Sequence, residues 1–182
     1  MSAIDLAPAM DHGGRLTGGQ DSVEWYTPPA VFDALGLRFD LDPCAPPGGV
    51  PWVPAARSYS IEDDGFAQPW TGRVWLNPPY GRETGRWVAK LGDHGDGVAL
   101  VFARVDTAWG QAAMRAADAV CLVAGRLSFI AGHAPADRRG HNAAAPSMLL
   151  GYGPACAAAV LASGLGTCFV PDLTSRAKGG PA

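Results

Sequence analysis

Short apolar segments alternate with helix-like patterns over most of the chain, and the apolar segments predict strands. Val98–Ala103 is a continuous apolar run, which is typical of a strand covered on both faces. Ala119–Val123 is a second run of this kind. The remaining predicted strands are Leu37–Leu41, Arg73–Leu76, Arg126–Ile130, Ser147–Tyr152 and Thr167–Val170.

Four segments are predicted to be helices. In the first, Thr27 is the expected N-cap, Pro28 takes the first helical position and Gly36 follows the last turn. The other predicted helices are Thr84–Leu91, which we expect to end at Gly92, Thr107–Ala117 and Ala155–Ala162.

The alternation of strands and helices predicts the fold class. It favours an α/β fold with a mostly parallel sheet flanked by helices. Ligands of such folds bind beyond the carboxyl ends of the strands. Residues that directly follow a predicted strand are therefore the first candidates for chemistry.

A single domain is expected to account for most of the 182 residues, which is enough chain to bury a sizeable core. We place this domain at residues 21–173. Residues 1–20 are glycine-containing and lack periodicity, so they are predicted to be a flexible arm, and residues 174–182 a flexible tail.

Composition narrows the class of protein. Hydrophobic residues make up 48% of the chain and charged residues 17%, which indicates a folded globular protein. No apolar run approaches the length of a membrane span and no export leader is recognisable, so we expect a cytoplasmic protein without a membrane partner. The four cysteines form no CxxC pair, so neither a disulfide framework nor a metal site is expected.

The strongest chemical signal is the tetrapeptide Asn77-Pro78-Pro79-Tyr80, which directly follows a predicted strand. A given tetrapeptide this rare arises by chance in on the order of one chain in a thousand. The prolines remove two N–H donors, so backbone carbonyls and the Asn77 side chain are the acceptors on offer. Two acceptors can bind both hydrogens of an adenine amino group and free the nitrogen lone pair for attack on an activated methyl group. A rigid turn around one buried aromatic residue is the structural alternative.

A base inside a duplex cannot reach such a pocket. The target base would have to be flipped out, at a cost of a few kcal/mol. Tyr80 could then stack on the face of the base, a contact worth ~1–3 kcal/mol.

Three stretches of the chain carry a recognisable combination of motifs, namely Glu24–Pro29, Asp40–Ala45 and Val74–Gly81. Together they resemble the phage-type DNA N6-adenine methyltransferase family, relatives of the Dam enzymes. The similarity continues through Glu62–Gly65, Asp106–Trp109 and Gly125–Phe129 and so covers most of the predicted domain. The Asn-Pro-Pro-Tyr motif is shared with RNA and protein-glutamine methyltransferases, so those activities stay open, as does a catalytically silent nucleic-acid-binding relative.

The resemblance implies a Rossmann-like methyltransferase fold, S-adenosylmethionine as methyl donor and DNA as partner. It also implies a phage or prophage setting in a bacterial host cell, where methylation protects DNA from restriction. The residues it assigns to donor binding are Tyr26, Thr27, Asp42, Pro43, Cys44, Asp63 and Asp64. Of these, Tyr26 and Thr27 would lie against the methionine end of the donor. A solvated acidic turn explains Asp63 and Asp64 equally well.

The candidates for DNA contact are arginines in two short loops, Arg82 with Arg86 and Arg138 with Arg139. Arginine can bind phosphates or read guanine edges, although lone surface arginines are often merely solvated. The net charge of −3 argues against an extensive basic face. We therefore expect a local basic patch that binds DNA weakly and in a salt-sensitive way, or a partner protein that supplies part of the DNA contacts.

Overall fold

The structure is a computed structural model that describes residues 25–132 and 141–172. The predicted N-terminal arm and C-terminal tail lie outside the described residues, so both stay predictions. Within these ranges the chain forms an α/β fold with two sheets.

The larger sheet has seven strands. Its spatial order is β10-β6-β9-β5-β4-β2-β3. The strands are β2 (Phe39–Asp42), β3 (Ala55–Ser58), β4 (Val74–Leu76), β5 (Gly97–Phe102), β6 (Ala119–Val123), β9 (Ser147–Tyr152) and β10 (Gly166–Phe169). A smaller antiparallel sheet, in the order β1-β7-β8, consists of β1 (Trp25–Tyr26), β7 (Ser128–Ala131) and β8 (His141–Asn142).

The larger sheet is mixed, and the expectation of a mostly parallel sheet is thereby corrected. Three neighbouring pairs, β3–β2, β2–β4 and β4–β5, are parallel. The other three pairs are antiparallel, because β9 lies between β5 and β6 and β10 runs along β6. Five of the seven strands nevertheless point the same way, which is compatible with a Rossmann-like fold.

Helices cover both faces of the larger sheet and enclose two cores. The four helices of the described ranges are α1 (Pro29–Leu35), α2 (Thr84–His94), α3 (Ala108–Ala116) and α4 (Pro154–Ala162). Buried residues of α1 and α4 pack on one face, and those of α2 and α3 on the other. Strand β5 serves both cores, since Val98 and Leu100 face the first and Ala99 and Val101 the second. None of these helices has the length and hydropathy to cross a membrane.

The start of the first helix differs from the prediction. The helix begins at Pro29 with Pro28 as the N-cap, and no side chain caps it. Thr27 was the expected cap, but its hydroxyl is buried without a hydrogen-bond partner in the described part of the chain. Proline supplies the fixed φ of a first helical position at both 28 and 29, so the sequence pattern is ambiguous by one residue.

Other predicted element boundaries agree with the structure where the apolar pattern is strong. Strands β6 and β9 have the predicted bounds, and Thr107 caps α3 by accepting a hydrogen bond from the Gly110 amide. Strands β1, β3 and β8 were not predicted, because two-residue strands and an exposed edge strand carry no apolar pattern.

The end of α2 also differs from the prediction. The helix continues through Gly92 to His94 and ends at Gly95, which has a left-handed φ of 81°. A glycine inside a helix is tolerated at a modest cost, whereas a left-handed C-cap strongly favours glycine.

Substituting each of these two glycines with alanine should change the free energy of unfolding in opposite directions. Gly92→Ala should raise the free energy of unfolding by about 0.5–1 kcal/mol, because the new methyl group would make only ordinary contacts with Tyr152 and Ala116. Gly95→Ala should lower it by about 1 kcal/mol, because alanine is strained at positive φ. Urea unfolding of both variants measures this. A helix that ended at Gly92 would give the opposite order.

Candidate active site

The carboxyl ends of the central strands bring the predicted chemical residues to one edge of the sheet. Asp42 is the last residue of β2, and Asn77 directly follows β4. Phe102 ends the neighbouring strand β5. Because these strands are parallel and adjacent, the three residues lie along the same edge.

The turn after Asn77 is held by Thr84, the buried first residue of α2. Its hydroxyl donates to the Pro79 carbonyl at 2.9 Å and accepts from the Gly81 amide at 3.0 Å. The Pro79 carbonyl is thereby engaged. For the Pro78 carbonyl no hydrogen bond occurs within the described residues, so it is a backbone acceptor that the motif leaves available.

The carboxamide of Asn77 is oriented from two sides. Its Nδ2 donates to the carbonyl of Trp25 at 3.3 Å. The Tyr80 hydroxyl donates to its Oδ1 at 3.2 Å. Burial raises the pKa of Tyr80 above its ordinary value, so the hydroxyl keeps the proton that it donates. A carboxamide oxygen has two lone pairs, and one remains available for a further donor.

The ring of Tyr80 is half-buried and lies flat on Phe102. The two ring centroids are 4.0 Å apart and the planes meet at 12°. Phe102 itself is part of the core shared with α1. One face of the tyrosine is thus backed by the core, which fixes the ring plane.

Asp42 is a buried carboxylate at the neighbouring strand end. Only 6% of the residue is exposed, and its Oδ1 accepts from the Cys44 amide at 3.0 Å. Burial raises the pKa of Asp42 to about 7, while the hydrogen bond from Cys44 opposes the shift. Burial and then the nearby charge of Asp42 raise the pKa of the Cys44 thiol, so that thiol stays protonated. Pro43 between them is buried.

A cavity of ≈ 350 Å³ opens beside Asp42, within the size range of small-molecule pockets. Its walls come from the end of β2, the following loop and strand β3. The lining residues include Asp42, Ala45, Gly49, Val53, Arg57 and Ser58.

Tyr26 and Thr27 reach this edge from the small sheet. The Thr27 carbonyl accepts from the indole of Trp52 at 2.8 Å, and the Tyr26 ring meets the same indole edge-on at 6.2 Å. Trp52 belongs to the loop that follows β2, so these contacts tie the segment before α1 to the loop around the cavity. The Thr27 hydroxyl is buried and unpartnered within the described residues, which makes it a site that a ligand could satisfy.

Comparison with protein families gives this site a context. The family model of the DNA N-6-adenine-methyltransferases (Dam) matches residues 17–157. The chain belongs to the Dam family. A search of curated proteins and a search of solved structures each gave no match. At the family level, membership makes the chain a DNA adenine-N6 methyltransferase, as the resemblance implied.

In this Dam-family chain, Asp63 and Asp64 lie in an exposed turn after β3. The Asp63 carboxylate accepts from the amide and hydroxyl of Ser60 at 2.8 and 2.9 Å, and these bonds lower its pKa. The Asp64 carboxylate accepts from the Ala67 amide at 3.3 Å. Tyr59, just before the turn, donates its amide to the Asp42 carbonyl, so the turn begins beside the cavity wall. Each carboxylate is engaged within its own turn, and a donor-binding role for either stays a prediction.

The four predicted DNA-contacting arginines differ in their surroundings. Arg82 is exposed in the turn before α2. Arg86 forms an ion pair with Glu83, and its guanidinium lies 4.7 Å from the centre of the Phe66 ring. Arg138 and Arg139 lie outside the described residues.

Residues 25–132 and 141–172 contain no group of three His, Cys, Asp or Glu side chains placed to hold a metal.

Sequence reasoning missed several residues of this candidate site. Trp25, Thr84 and Phe102 hold or back the Asn77–Tyr80 motif, and each contact crosses chain segments or turns that a pattern does not reveal. Ser147, the partner of Phe102 across β5 and β9, is buried with an unpartnered hydroxyl in the described part of the chain. Its strand was predicted, but nothing in the sequence marks the hydroxyl.

The buried carboxylate predicts an unusual pH dependence of stability. The pKa of Asp42 is about 7 in the folded protein, above its ordinary value of 3.8, so folding favours the protonated form. The free energy of unfolding should therefore fall as pH rises from about 4 through 7, by about 1.4 kcal/mol per unit of pKa shift. In Asp42→Asn this loss should disappear, because Asn carries no charge and can still accept from the Cys44 amide.

Urea unfolding at pH 5 and pH 8 measures the difference. The matched control is Asp33→Asn, which removes an exposed carboxylate on α1 and should keep the wild-type dependence. Equal losses in wild type and Asp42→Asn would contradict the buried-charge account.

Proposed function

We propose that the protein transfers a methyl group from S-adenosylmethionine to the N6 amino nitrogen of a flipped-out adenine in DNA. The observation that carries this proposal is the pair of acceptors at the end of β4, the Asn77 Oδ1 and the Pro78 carbonyl. Both keep acceptor capacity, and the Asn77 oxygen is oriented by contacts on two sides. Family membership supports adenine in DNA as the substrate class.

The residues beside the acceptor pair fit the proposed donor. The hydroxyl of Thr27 is buried and unpartnered in the described part of the chain, so it can form a hydrogen bond with a polar ligand. The carboxylate of Asp42 is also buried, and a positively charged ligand would compensate its charge. S-adenosylmethionine supplies a positively charged sulfonium with a transferable methyl group. Asp42, Pro43 and Cys44 would form the floor of its pocket, and Tyr26 and Thr27 would contact its methionine end. Asp63 or Asp64 would take the ribose or the amino group of the donor's adenine.

The two acceptors activate the target by hydrogen bonding. Each accepts a hydrogen bond from one N–H of the amino group, which draws the nitrogen out of conjugation with the ring and concentrates its lone pair. The interaction strengthens as positive charge develops on the nitrogen, so it stabilises the transition state more than the ground state. As the N–C bond forms, the bond from the donor's sulfur to the methyl group breaks, and the methylated nitrogen then loses one proton to water. The Trp25 carbonyl can only accept a hydrogen bond, so it keeps the Asn77 nitrogen on its own side and the oxygen towards the substrate, and the hydrogen bond from Tyr80 further restrains the carboxamide.

The Tyr80 ring would bind the base by stacking. Phe102 covers one face of the tyrosine, and the target adenine would lie on the other. Base–aromatic stacking is worth ~1–3 kcal/mol, which offsets part of the cost of unpairing and unstacking the base. Arg82 and Arg86 at the following turn are proposed contacts to the DNA backbone, with Arg82 the less engaged of the two.

Substitutions at the two strand ends should separate chemistry from donor binding. Asn77→Ala should lower kcat by roughly 100–1000-fold, the effect of losing one oriented transition-state hydrogen bond. Its donor affinity should stay close to wild type. Asp42→Ala should mainly weaken donor binding, because it removes a buried charge from the pocket floor. Steady-state methylation of unmethylated DNA at saturating substrate and calorimetric titration of the donor give the two quantities.

The matched control is Asn142→Ala, which removes an asparagine that has no assigned role in the reaction. Circular dichroism should show all variants folded. If folded Asn77→Ala retains full kcat, the acceptor mechanism is wrong. If Asn77→Ala and Asp42→Ala merely unfold, both motifs are structural.

A further inference from the structure

We propose that Arg104 and Arg126 bind DNA phosphates beside the target base and, with Arg82, form a basic edge of the sheet. This inference rests on the proposed function, because it assigns the surface on which the DNA lies. Arg126 lies in the Gly125–Phe129 segment, and Thr107 of the Asp106–Trp109 segment holds the loop that carries Arg104. The proposed mechanism gives neither segment a role.

The topology places the three arginines on the same edge. Arg82 lies six residues beyond the end of β4, in the turn before α2, whereas Arg104 lies two residues beyond the end of β5 and Arg126 three residues beyond the end of β6. These strands point in the same direction. Since only β9 separates β5 from β6, the ends of β4 and β6 are about 14 Å apart at the usual strand spacing. A duplex carries one negative charge per ~1.7 Å of axis, so a row of this length faces several phosphates.

The three side chains are available for a ligand. Each residue is exposed, and within the described ranges none of the three guanidinium groups takes part in an ion pair or hydrogen bond. Three other arginines differ, because Arg73 pairs with Asp96, Arg86 pairs with Glu83 and Arg57 donates to Thr71.

The loop that carries Arg104 is held firmly by its backbone. The Arg104 carbonyl accepts from the hydroxyl of Thr107 at 2.8 Å and from its amide at 3.2 Å. A Cβ at position 110 would lie 2.0 Å from the same carbonyl, so glycine allows α3 to approach it. The Gln111 side chain donates to the Val105 carbonyl. With both carbonyls engaged by α3, the Arg104 side chain is presented to solvent from a fixed loop.

Arg104 is also close in sequence to the proposed base platform. Phe102, two residues earlier, lies under the Tyr80 ring. A phosphate flanking the flipped adenine has to pass near this platform, so a cation here would anchor the strand that supplies the base.

Charged side chains are unevenly distributed along the edge formed by the carboxyl ends of the strands, and the β4–β6 side is the one that favours DNA. The turn after β3 carries Glu62, Asp63 and Asp64, all exposed, beside the proposed donor pocket. The ends of β4, β5 and β6 carry the unpaired arginines, with exposed Asp106 as the acidic neighbour of Arg104. The duplex would therefore lie over the β4–β6 side, and a net charge of −3 is compatible with this local patch.

A charge-matched pair of variants tests the proposal. Arg104→Gln should raise KM for a short unmethylated duplex roughly tenfold, as expected for a lost charge-assisted hydrogen bond, while kcat at saturating DNA stays near wild type. The slope of log Kd against log salt should fall by about one. Arg38→Gln is the control, because Arg38 is equally exposed but precedes β2 and so lies at the opposite edge. It should change neither quantity.

Two further variants test whether the effect of Arg104→Gln comes from the lost charge or from a change in the loop structure. Arg104→Lys should restore most of the affinity by keeping the charge, and Arg126→Gln should raise KM independently of the Arg104 loop. Donor affinity should be unchanged in all four variants. If Arg104→Gln and Arg126→Gln both match Arg38→Gln while wild type methylates DNA, this interface is wrong and the proposed function stands. If wild type binds the donor but does not methylate DNA, the proposed function fails and this inference fails with it.

Discussion

The orientation of one side chain, the carboxamide of Asn77, is the constraint on which the rest of the site depends. An asparagine that turned by half a rotation would present two donors where the proposed chemistry needs an acceptor. The Trp25 carbonyl opposes that rotation because it can only accept a hydrogen bond, and the Tyr80 hydroxyl restrains the carboxamide from a second side. These two contacts come from different directions, since Trp25 lies in the small sheet and Tyr80 in the same turn as Asn77.

The architecture can be understood as the support for this arrangement. The core beneath α1 backs Phe102, Phe102 backs Tyr80, and Tyr80 in turn holds Asn77. On the other face, α2 begins with Thr84, whose hydroxyl secures the turn. Asp42 is held at the next strand end by burial and by the Cys44 amide. The two polar groups proposed for chemistry and donor binding therefore rest on neighbouring strands of one sheet.

The sequence was informative where a single segment carries the signal. Continuous apolar runs located β6 and β9, and the rare tetrapeptide Asn77–Tyr80 directly follows β4, as the sequence predicted. It was uninformative where the signal is shared between distant segments. The insertion of β9 between β5 and β6 makes the sheet mixed, yet a strand looks equally apolar whichever way it runs. The Trp25 contact to Asn77 spans 52 positions, and the Tyr80–Phe102 stack joins two different strand ends. The third helix was predicted from Thr107, which is its N-cap, whereas the cap of the first helix was predicted one residue early at Thr27, where two successive prolines fit the same position.

The most direct test of the central claim is to identify the atom that receives the methyl group. The purified protein is incubated with isotopically labelled S-adenosylmethionine and, in parallel, unmethylated DNA, RNA and protein, and the digested products are resolved by mass spectrometry. The account predicts label in the DNA, entirely as N6-methyladenine, and none with Asn77→Ala. Label in RNA or protein with none in DNA, or on another atom of a DNA base, would contradict it.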